Sequence, residues 1–126
     1  MKKGFSLVEL LAVIVILGII ATITIPKIQD LLIESRDNAY DLVVNQLETR
    51  AKDYVIDKKL DANITNTVPL DVYLSTLITT NYIKSSDLED PRYKNQAINP
   101  DLSYVHFTLE NGSLKSVTNF TTTVNP

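Results

Sequence analysis

The 126-residue sequence has no cysteine and no tryptophan, only three glycines, and a single histidine. Without cysteine no disulfide can close a loop, although that absence says little about the redox compartment. Acidic residues outnumber basic ones by 15 to 12, which gives a net charge of −3. This balance disfavours nucleic-acid binding through a broad basic patch.

Residues with catalytic or metal-binding chemistry are correspondingly few. The lone histidine, His106, occupies an outward position of a predicted strand with no Cys or Ser motif nearby, which favours a surface histidine over a catalytic one. The acidic residues of one loop lack EF-hand spacing, which favours a solvated loop over a calcium site. These residues are Asp87, Glu89, Asp90 and Asp101. We therefore predict no enzyme activity, no metal site and no cofactor.

The N-terminal region carries the strongest signal in the chain. A 21-residue apolar stretch runs from Phe5 to Ile25 and contains one charge, Glu9. As a helix it would rise roughly 31 Å, which matches the hydrocarbon core of a bilayer. Lys2 and Lys3 precede it and, by the positive-inside tendency, predict a cytoplasmic N-terminus with the rest of the chain outside. Because a carboxylate deep in a membrane helix costs about 2.5 to 3.5 kcal/mol, Glu9 needs a partner or a task.

Two other interpretations fit this segment less well. A secretory signal peptide needs a shorter apolar core that ends in a small-x-small cleavage site, but Ala21-Thr22-Ile23 puts a β-branched residue at the second small position. A plain uncleaved anchor leaves both Glu9 and the placement of Gly4 unexplained.

The run KGFSLVEL, residues 3 to 10, resembles the prepilin cleavage and methylation motif of type IV pilins and the related pseudopilins. The resemblance implies that a membrane-embedded prepilin peptidase cuts between Gly4 and Phe5 and methylates the new amine of Phe5. Glu9 then takes the fifth position of the mature chain, where the family carries its characteristic glutamate. Many pilins also close a C-terminal loop with a disulfide, which this cysteine-free chain cannot form.

Cleavage before Phe5 would create an ammonium group at the inner edge of the membrane. A subunit staggered along a filament axis could place that cation against Glu9 of its neighbour, so Phe5 and Glu9 are the predicted assembly residues. Breaking a buried pair of this kind typically costs about 3 to 5 kcal/mol. Processing is therefore predicted to act as the switch for assembly.

The apolar stretch is suited to bundling with sister helices, because apolar residues surround its whole circumference. Gly18 removes a side chain and permits close approach, and Thr22 and Thr24 can bond back to their own helix. Pro26 removes a backbone donor, so we predict a kink or local melting near residues 22 to 26. By resemblance, Gly18 and Pro26 fall where pilin helices commonly have glycine and proline.

Beyond Pro26 the apolar pattern becomes amphipathic, and one helix of about 50 residues is predicted to continue to about Lys58. Its spacing, dominated by fours, favours packing against a compact domain over a heptad coiled coil. The apolar stripe comprises Ile28, Leu32, Ala39, Val43, Leu47, Ala51 and Tyr54.

The C-terminal part of the sequence predicts a small mixed head. Pro69 is predicted to open a short helix over residues 70 to 78, with Asn81 as its left-handed cap. Tyr82-Ile83 is read as extended, and residues 84 to 100 as a loop with room for one strand.

Residues 103 to 120 give the clearest β signal. Asn111-Gly112 in the middle predicts a type I′ hairpin. Apolar residues alternate on one face of both strands, but Val117 falls on the other face, so we predict a bulge near Ser116. The polar tail TTTVNP is expected to fray.

The predicted fold class is α+β. A long N-terminal α-helix, transmembrane in its first half and amphipathic in its second, packs on a small antiparallel β-sheet head in the lollipop form of pilins. Residues 1–4 form the leader peptide, 5–26 the transmembrane and filament-core helix, and 27–126 the amphipathic helix and globular head.

These patterns predict a structural subunit that is cleaved after Gly4 and polymerises through its N-terminal helix into a type IV pilus or pilus-like filament. A pseudopilin of a type II secretion or competence DNA-uptake system shares this N-terminus and stays an alternative, as does a monomeric membrane-anchored binding domain.

The resemblance also implies the partners and the location. The partners are other copies or related pilins, the prepilin peptidase, an inner-membrane assembly platform, membrane lipid before assembly, and DNA only in a competence system. The implied location is a single-pass membrane protein with its N-terminus in the cytoplasm and its head outside, which then enters a cell-surface filament.

Overall fold

The computed structural model describes residue 4, residues 6 to 65 and residues 67 to 124. Lys2, Lys3 and Phe5, which carry sequence-based predictions, lie outside the described residues, as does Asn66 in the predicted polar bridge. The chain divides into two compact units, the first ending at Ser35 and the second beginning at Arg36.

The first unit is helical. Helix α1 (Leu7–Asp57) begins here, and its apolar side chains are exposed around the whole circumference, as the composition of the stretch predicts. Thr22 donates its hydroxyl to the carbonyl of Ile19 at 2.7 Å, and Thr24 donates to that of Ile20 at 2.8 Å. These bonds confirm that both threonines satisfy themselves within their own helix.

Helix α1 is continuous through Gly18 and Pro26. No local melting is therefore present at residues 22 to 26 in the isolated chain, and a bend at Pro26 stays a prediction. Proline still leaves the carbonyl of Thr22 without its usual donor four residues on.

In the second unit, α1 packs against the head through Leu47, Ala51 and Val55, which are all buried. The helix ends one residue before the predicted Lys58. The predicted stripe is too long at its start, however, because Ile28 and Leu32 are exposed in the first unit and the packed face begins at Ala39.

The head contains two antiparallel sheets. The larger has the strand order β1 (Leu70–Tyr73), β3 (Tyr104–Glu110), β4 (Ser113–Asn119), and the smaller pairs β2 (Gln96–Ile98) with β5 (Thr122–Val124). The remaining elements are helix α2 (Leu74–Thr79) and two short 3-10 helices (Leu60–Asn63 and Ser85–Leu88). The α+β class is confirmed.

The helix predicted to follow Pro69 begins four residues too early. Residues 70 to 73 form β1, which pairs with β3, and only from Leu74 does the chain become helical. The reason is the pairing with β3, in which Leu70 and Val72 face the core while Asp71 and Tyr73 face outward. Pro69 precedes the strand, where its missing N–H breaks no ladder bond.

The end of α2 is a Schellman motif. Asn81 has φ of 64°, the N–H of Tyr82 donates to the carbonyl of Leu77 at 2.9 Å, and the N–H of Asn81 donates to Ile78 at 3.1 Å. The predicted left-handed cap at Asn81 is thereby confirmed. Tyr82 and Ile83 lie in a bend and not in a strand, because this reversal turns the chain at once.

The hairpin forms as predicted, with positive φ at Asn111 (53°) and Gly112 (79°). The bulge near Ser116 is absent, because β3 and β4 pair without interruption from Glu110 opposite Ser113 to Tyr104 opposite Asn119. Ser116 instead remains on the inner face, and its hydroxyl donates to the Glu48 carboxylate on α1. Satisfying this polar group removes the need to turn it outward.

The predicted fraying of the tail is also wrong for its first part. Thr122, Thr123 and Val124 form β5, which pairs antiparallel with β2, Thr122 opposite Ile98, Thr123 opposite Ala97 and Val124 opposite Gln96. Strand β2 fulfils the expectation of one strand within residues 84 to 100.

The core lies between α1 and the larger sheet. Its fully buried apolar members are Leu47, Ala51, Val55, Leu74, Leu77, Ile98, Val105 and Phe107. No buried side-chain nitrogen or oxygen of the described residues lacks a hydrogen-bond partner. The head is therefore closed by apolar packing and satisfied polar contacts, with no covalent cross-link.

Candidate processing and assembly site

The described part of the predicted processing segment consists of Gly4 and the start of α1. Gly4 is exposed, and no atom lies within 4 Å of where a Cβ would be. Phe5, the other residue of the predicted scissile bond, lies outside the described residues.

Ser6 and Glu9 form a capping box at the N-terminus of α1. The backbone N–H of Glu9 donates to the Ser6 hydroxyl at 3.2 Å, and the backbone N–H of Ser6 donates to the Glu9 carboxylate at 3.4 Å. This reciprocal pair satisfies two N–H groups that the first turn of a helix leaves without partners.

The capping box fixes where the Glu9 carboxylate lies. One carboxylate oxygen points back toward the N-terminal end of the helix. It lies within hydrogen-bond distance of the backbone nitrogen of Ser6, the residue after Phe5. A carboxylate there also gains from the positive end of the helix dipole. Sequence reasoning singled out Glu9 but missed Ser6, although the Ser-x-x-Glu spacing at residues 6 to 9 is the ordinary signature of a capping box.

The helix that follows presents an apolar surface. Side chains from Leu7, 83% exposed, to Ile25, 54% exposed, have little protein around them. By length and composition this helix is able to cross a membrane. In water such a surface would be a strong driving force for association, so it requires lipid or other helices around it.

The head holds a separate polar cluster, which we call the Asp90 clasp: Tyr40, Asp90, Arg92 and Thr122. The Asp90 carboxylate is completely buried and accepts from the Arg92 side chain at 2.9 and 3.1 Å, from the Arg92 backbone N–H at 2.9 Å, and from the Thr122 hydroxyl at 2.9 Å. The Arg92 guanidinium lies 3.5 Å from the ring centroid of Tyr40 on α1. The clasp thus joins helix, loop and C-terminal strand.

Opposing influences set the ionisation of this pair. Burial alone would raise the pKa of the Asp90 carboxyl, but the hydrogen bonds from Arg92 and Thr122 outweigh it and lower that pKa below 3.8. The hydrogen bond to Asp90 raises the pKa of Arg92 in turn. Both groups therefore stay charged at neutral pH.

Beside the clasp opens a cleft of about 520 Å³ whose charged lining is Arg36, Glu89, Asp90, Arg92 and Lys94. Asp90 and Arg92 are committed to each other, and the Asp87 carboxylate accepts from the backbone N–H of Lys84 at 2.8 Å. Within residues 4, 6 to 65 and 67 to 124, no three His, Cys, Asp or Glu side chains are placed to hold a metal ion. The structure does not gather the acidic loop residues into one site.

His106 lies on the outer face of the larger sheet, as its strand position predicts. Its Nδ1 contacts the Asp71 carboxylate on the neighbouring strand β1 at 2.5 Å, and both side chains are more than a third exposed.

Comparison with known proteins agrees with this division of the chain. The prokaryotic N-terminal methylation motif matches residues 1–25. The type IV major fimbrial protein FimA of Dichelobacter nodosus is 36% identical over 59 residues, which are 47% of this chain and 38% of that protein. A fimbrial protein of Pseudomonas aeruginosa is 36% identical over 58 residues, which are 46% of this chain and 38% of that protein. The matches therefore span well under half the length of these relatives.

No solved structure matches the chain. The chain carries the N-terminal methylation motif, and just under half of it is similar to type IV fimbrial proteins, which confirms the resemblance inferred from residues 3 to 10. The family model covers residues 1–25, the motif and the first part of α1.

Proposed function

We propose that this chain is a structural subunit that is cleaved between Gly4 and Phe5, N-methylated at Phe5, and polymerised through α1 into a type IV pilus or pilus-like filament. The observation that carries the proposal is the exposed Gly4 next to a capping box, which holds the Glu9 carboxylate at the N-terminal end of an apolar helix. The similarity to type IV fimbrial proteins supports it.

Electrostatics explains why cleavage and assembly go together. In the uncleaved chain the Glu9 charge has only neutral donors near it among the described residues, namely the Ser6 hydroxyl and N–H. A free amine on Phe5 supplies a cation in the same region of each subunit. Bringing that cation to Glu9 of a neighbour compensates a charge that is costly in an apolar bundle.

Packing supplies the remaining driving force. Helices in lipid associate through close packing and small residues, because lipid tails are as apolar as the side chains they replace. Gly18 has open space around it, and Thr22 and Thr24 already satisfy their own hydroxyls. The helix can therefore exchange lipid for sister helices without burying an unpaired polar group.

The partners of this proposal follow from the chemistry at each stage. A prepilin peptidase cuts and methylates, an inner-membrane platform extracts the subunit, and other copies or related pilins receive it. The head stays outside the membrane throughout. Assembly into a surface pilus is favoured because the relatives are named as fimbrial proteins. A pseudopilin of a secretion or competence system stays the second candidate, because the motif at residues 1–25 does not distinguish surface pilus, secretion and competence systems.

The deciding experiment compares Glu9→Gln with Glu34→Gln, a matched change on the same helix. Both variants are expressed beside the wild-type chain, and filaments sheared from the cells are quantified for each. Losing a buried pair worth about 3 kcal/mol lowers incorporation about a hundredfold, so Glu9→Gln should be almost absent from filaments. Glu34→Gln should assemble normally.

Processing is measured on the same samples. Membrane-bound Glu9→Gln should still begin at Phe5, because the scissile bond is unchanged. Equal incorporation of the two variants would refute the pairing role of Glu9. Recovery of the mature chain only as a membrane-bound monomer, never in filaments, would favour the anchored binding domain instead.

A further inference from the structure

Strand β4 is an edge of the larger sheet. It spans seven residues, Ser113–Asn119, and its paired side is occupied by β3. On the other side, no strand of the described chain lies beside it, since the sheet has the order β1, β3, β4. Its outer backbone groups are thus open to pairing with another chain.

The hairpin fixes which backbone groups these are. In a two-residue type I′ hairpin the residues that flank the turn, Glu110 and Ser113, exchange both of their hydrogen bonds, and the pairs then alternate along the ladder. Ser113, Lys115, Val117 and Asn119 therefore direct their N–H and C=O groups at β3. Leu114, Ser116 and Thr118 direct theirs at the free edge.

The edge has only one of the devices that normally block strand addition, a single lysine. β4 contains no proline, no glycine and no bulge, and its only charged residue is Lys115. Its neighbour on the outer face, Val117, is apolar and 65% exposed. Natural edge strands are usually blunted by devices of this kind.

We propose that the free edge of β4 binds β4 of a second copy of this chain, antiparallel and centred on Ser116. In this register Leu114 faces Thr118 of the other copy, Ser116 faces Ser116, and Thr118 faces Leu114, and each of these pairs exchanges two backbone hydrogen bonds. Every outward N–H and C=O of the strand is used.

Charge selects the same register. Centred on Ser116, Lys115 lies opposite Val117 of the other copy, so the only charge of the strand never meets itself. Shifting the centre to Lys115 places two lysines opposite each other and loses one of the three hydrogen-bonded pairs. Shifting the centre to Val117 also loses a pair, because Leu114 would then face position 120 of the other copy, which lies beyond the end of the strand.

The inner face tolerates the pairing as well. The Ser116 hydroxyl donates to the Glu48 carboxylate of its own α1. The Lys52 ammonium lies 3.8 Å from a carboxylate oxygen of Glu48 and balances its charge. Two such carboxylates approach the two-fold axis only as neutralised pairs.

The symmetry of the pair says which copies it joins, and this step rests on the proposed function. An antiparallel edge-to-edge pair has its two-fold axis perpendicular to the sheet, and α1 lies on the face of that sheet. The α1 helices of the two copies therefore run in opposite directions. Neighbours in one polar filament cannot meet this way, whereas subunits of two filaments that run in opposite directions can.

The pairing is tested on the purified full chain in detergent, which does not depend on filament formation. The chain has no cysteine, so introduced thiols are the only ones present. Lys115→Cys and Val117→Cys are prepared separately, mixed and oxidised with copper phenanthroline. Across the two copies, residues 115 and 117 form a non-hydrogen-bonded antiparallel pair. The Cα atoms of such a pair lie about 4.5 Å apart, within the range of a disulfide.

We expect the mixture to form disulfide-linked dimers and each variant alone to form few. Dimers of either variant alone, in the same yield as the mixture, would mean a different register or random contact within micelles and would overturn the proposal. Absence of dimers in all three samples would overturn it too.

A charge pair on the exposed face provides an independent measurement. Val117→Glu places a carboxylate opposite Lys115 of the other copy and should tighten dimerisation several-fold, while Val117→Lys should weaken it by a similar factor. Sedimentation of both variants at low salt measures the difference. Equal dimerisation of the two would contradict the register, and neither result bears on whether the chain assembles into filaments.

Discussion

The Asp90 clasp predicts a large loss of stability when Arg92 is replaced by alanine. Asp90 is fully buried, and three of its four hydrogen bonds come from Arg92. Two of these come from the side chain, so Arg92→Ala leaves a buried carboxylate that only the backbone N–H and Thr122 still satisfy.

The magnitude follows from the cost of breaking a buried pair, about 3 to 5 kcal/mol. The Arg92 guanidinium also lies 3.5 Å from the Tyr40 ring, a cation–π contact worth about 0.5 to 2 kcal/mol. Because the two terms overlap, we expect a total near 3 to 5 kcal/mol. For a domain of about 60 to 100 residues, each kcal/mol shifts the Tm by about 4 to 8 °C.

The assay is thermal unfolding of the full chain in detergent, followed by the circular dichroism of its tyrosines. We expect Arg92→Ala to lower the Tm of the head by more than 10 °C, and Arg92→Lys to lower it less, because lysine keeps the charge but not the two-pronged contact. The double variant Asp90→Val with Arg92→Leu should recover much of the loss, since no buried charge remains. A Tm for Arg92→Ala within about 2 °C of wild type would refute this reasoning.

Four further predictions concern the head. The pKa of Asp90 is lower in the folded state, so the ionised carboxylate stabilises the fold fully above the ordinary pKa of 3.8, and this stabilisation is lost as the pH falls through the folded pKa. The free energy of unfolding should therefore fall less steeply with pH below 3.8 in Asp90→Asn than in the wild type. Gly112→Ala puts a side chain at φ of 79° and should lower the free energy of unfolding in urea by about 1 kcal/mol. An unchanged free energy of unfolding would contradict the type I′ turn. Ser116→Ala removes the donor to Glu48 and should cost about 1 kcal/mol, which a double-mutant cycle with Glu48→Gln can assign to that contact. Phe107→Ala empties a fully buried site and should cost about 3 to 5 kcal/mol, so a smaller loss would place Phe107 outside the core.

The elements that the sequence predicts well are those with strong local signals. Helix α1 follows from an unbroken apolar run and an amphipathic continuation, and its end is correct within one residue. The hairpin follows from Asn111-Gly112, since both residues need positive φ. The Asn81 cap has the same origin, because asparagine tolerates the left-handed conformation.

The elements that the sequence does not predict are decided by distant partners. Residues 70 to 73 fit the start of a helix as well as a strand, and it is β3, about thirty residues later, that makes them β1. The threonine-rich β5 has no apolar alternation of its own, and its order comes from β2 and from the bond between Thr122 and Asp90. The expected bulge is replaced by a contact from Ser116 to Glu48 that spans 68 positions of sequence.

At the candidate processing site the division is similar. Glu9 stands out in the sequence because it is a charge in an apolar run, and Gly4 because of the motif around it. Ser6 is detectable from its Ser-x-x-Glu spacing to Glu9, but the apolar run and the motif draw attention away from it, and the hydrogen bonds to Glu9 show its role. Its contribution is to orient the Glu9 carboxylate toward the end of the helix where the new amine would appear.

Mass spectrometry of the N-terminus in sheared native filaments tests the central claim most directly. We predict that the chain in these filaments begins at an N-methylated Phe5, with residues 1 to 4 removed. Filaments that contain the chain with Met1 to Gly4 still attached would contradict it, because Glu9 would then have no terminal amine at Phe5 to pair with in a neighbouring subunit.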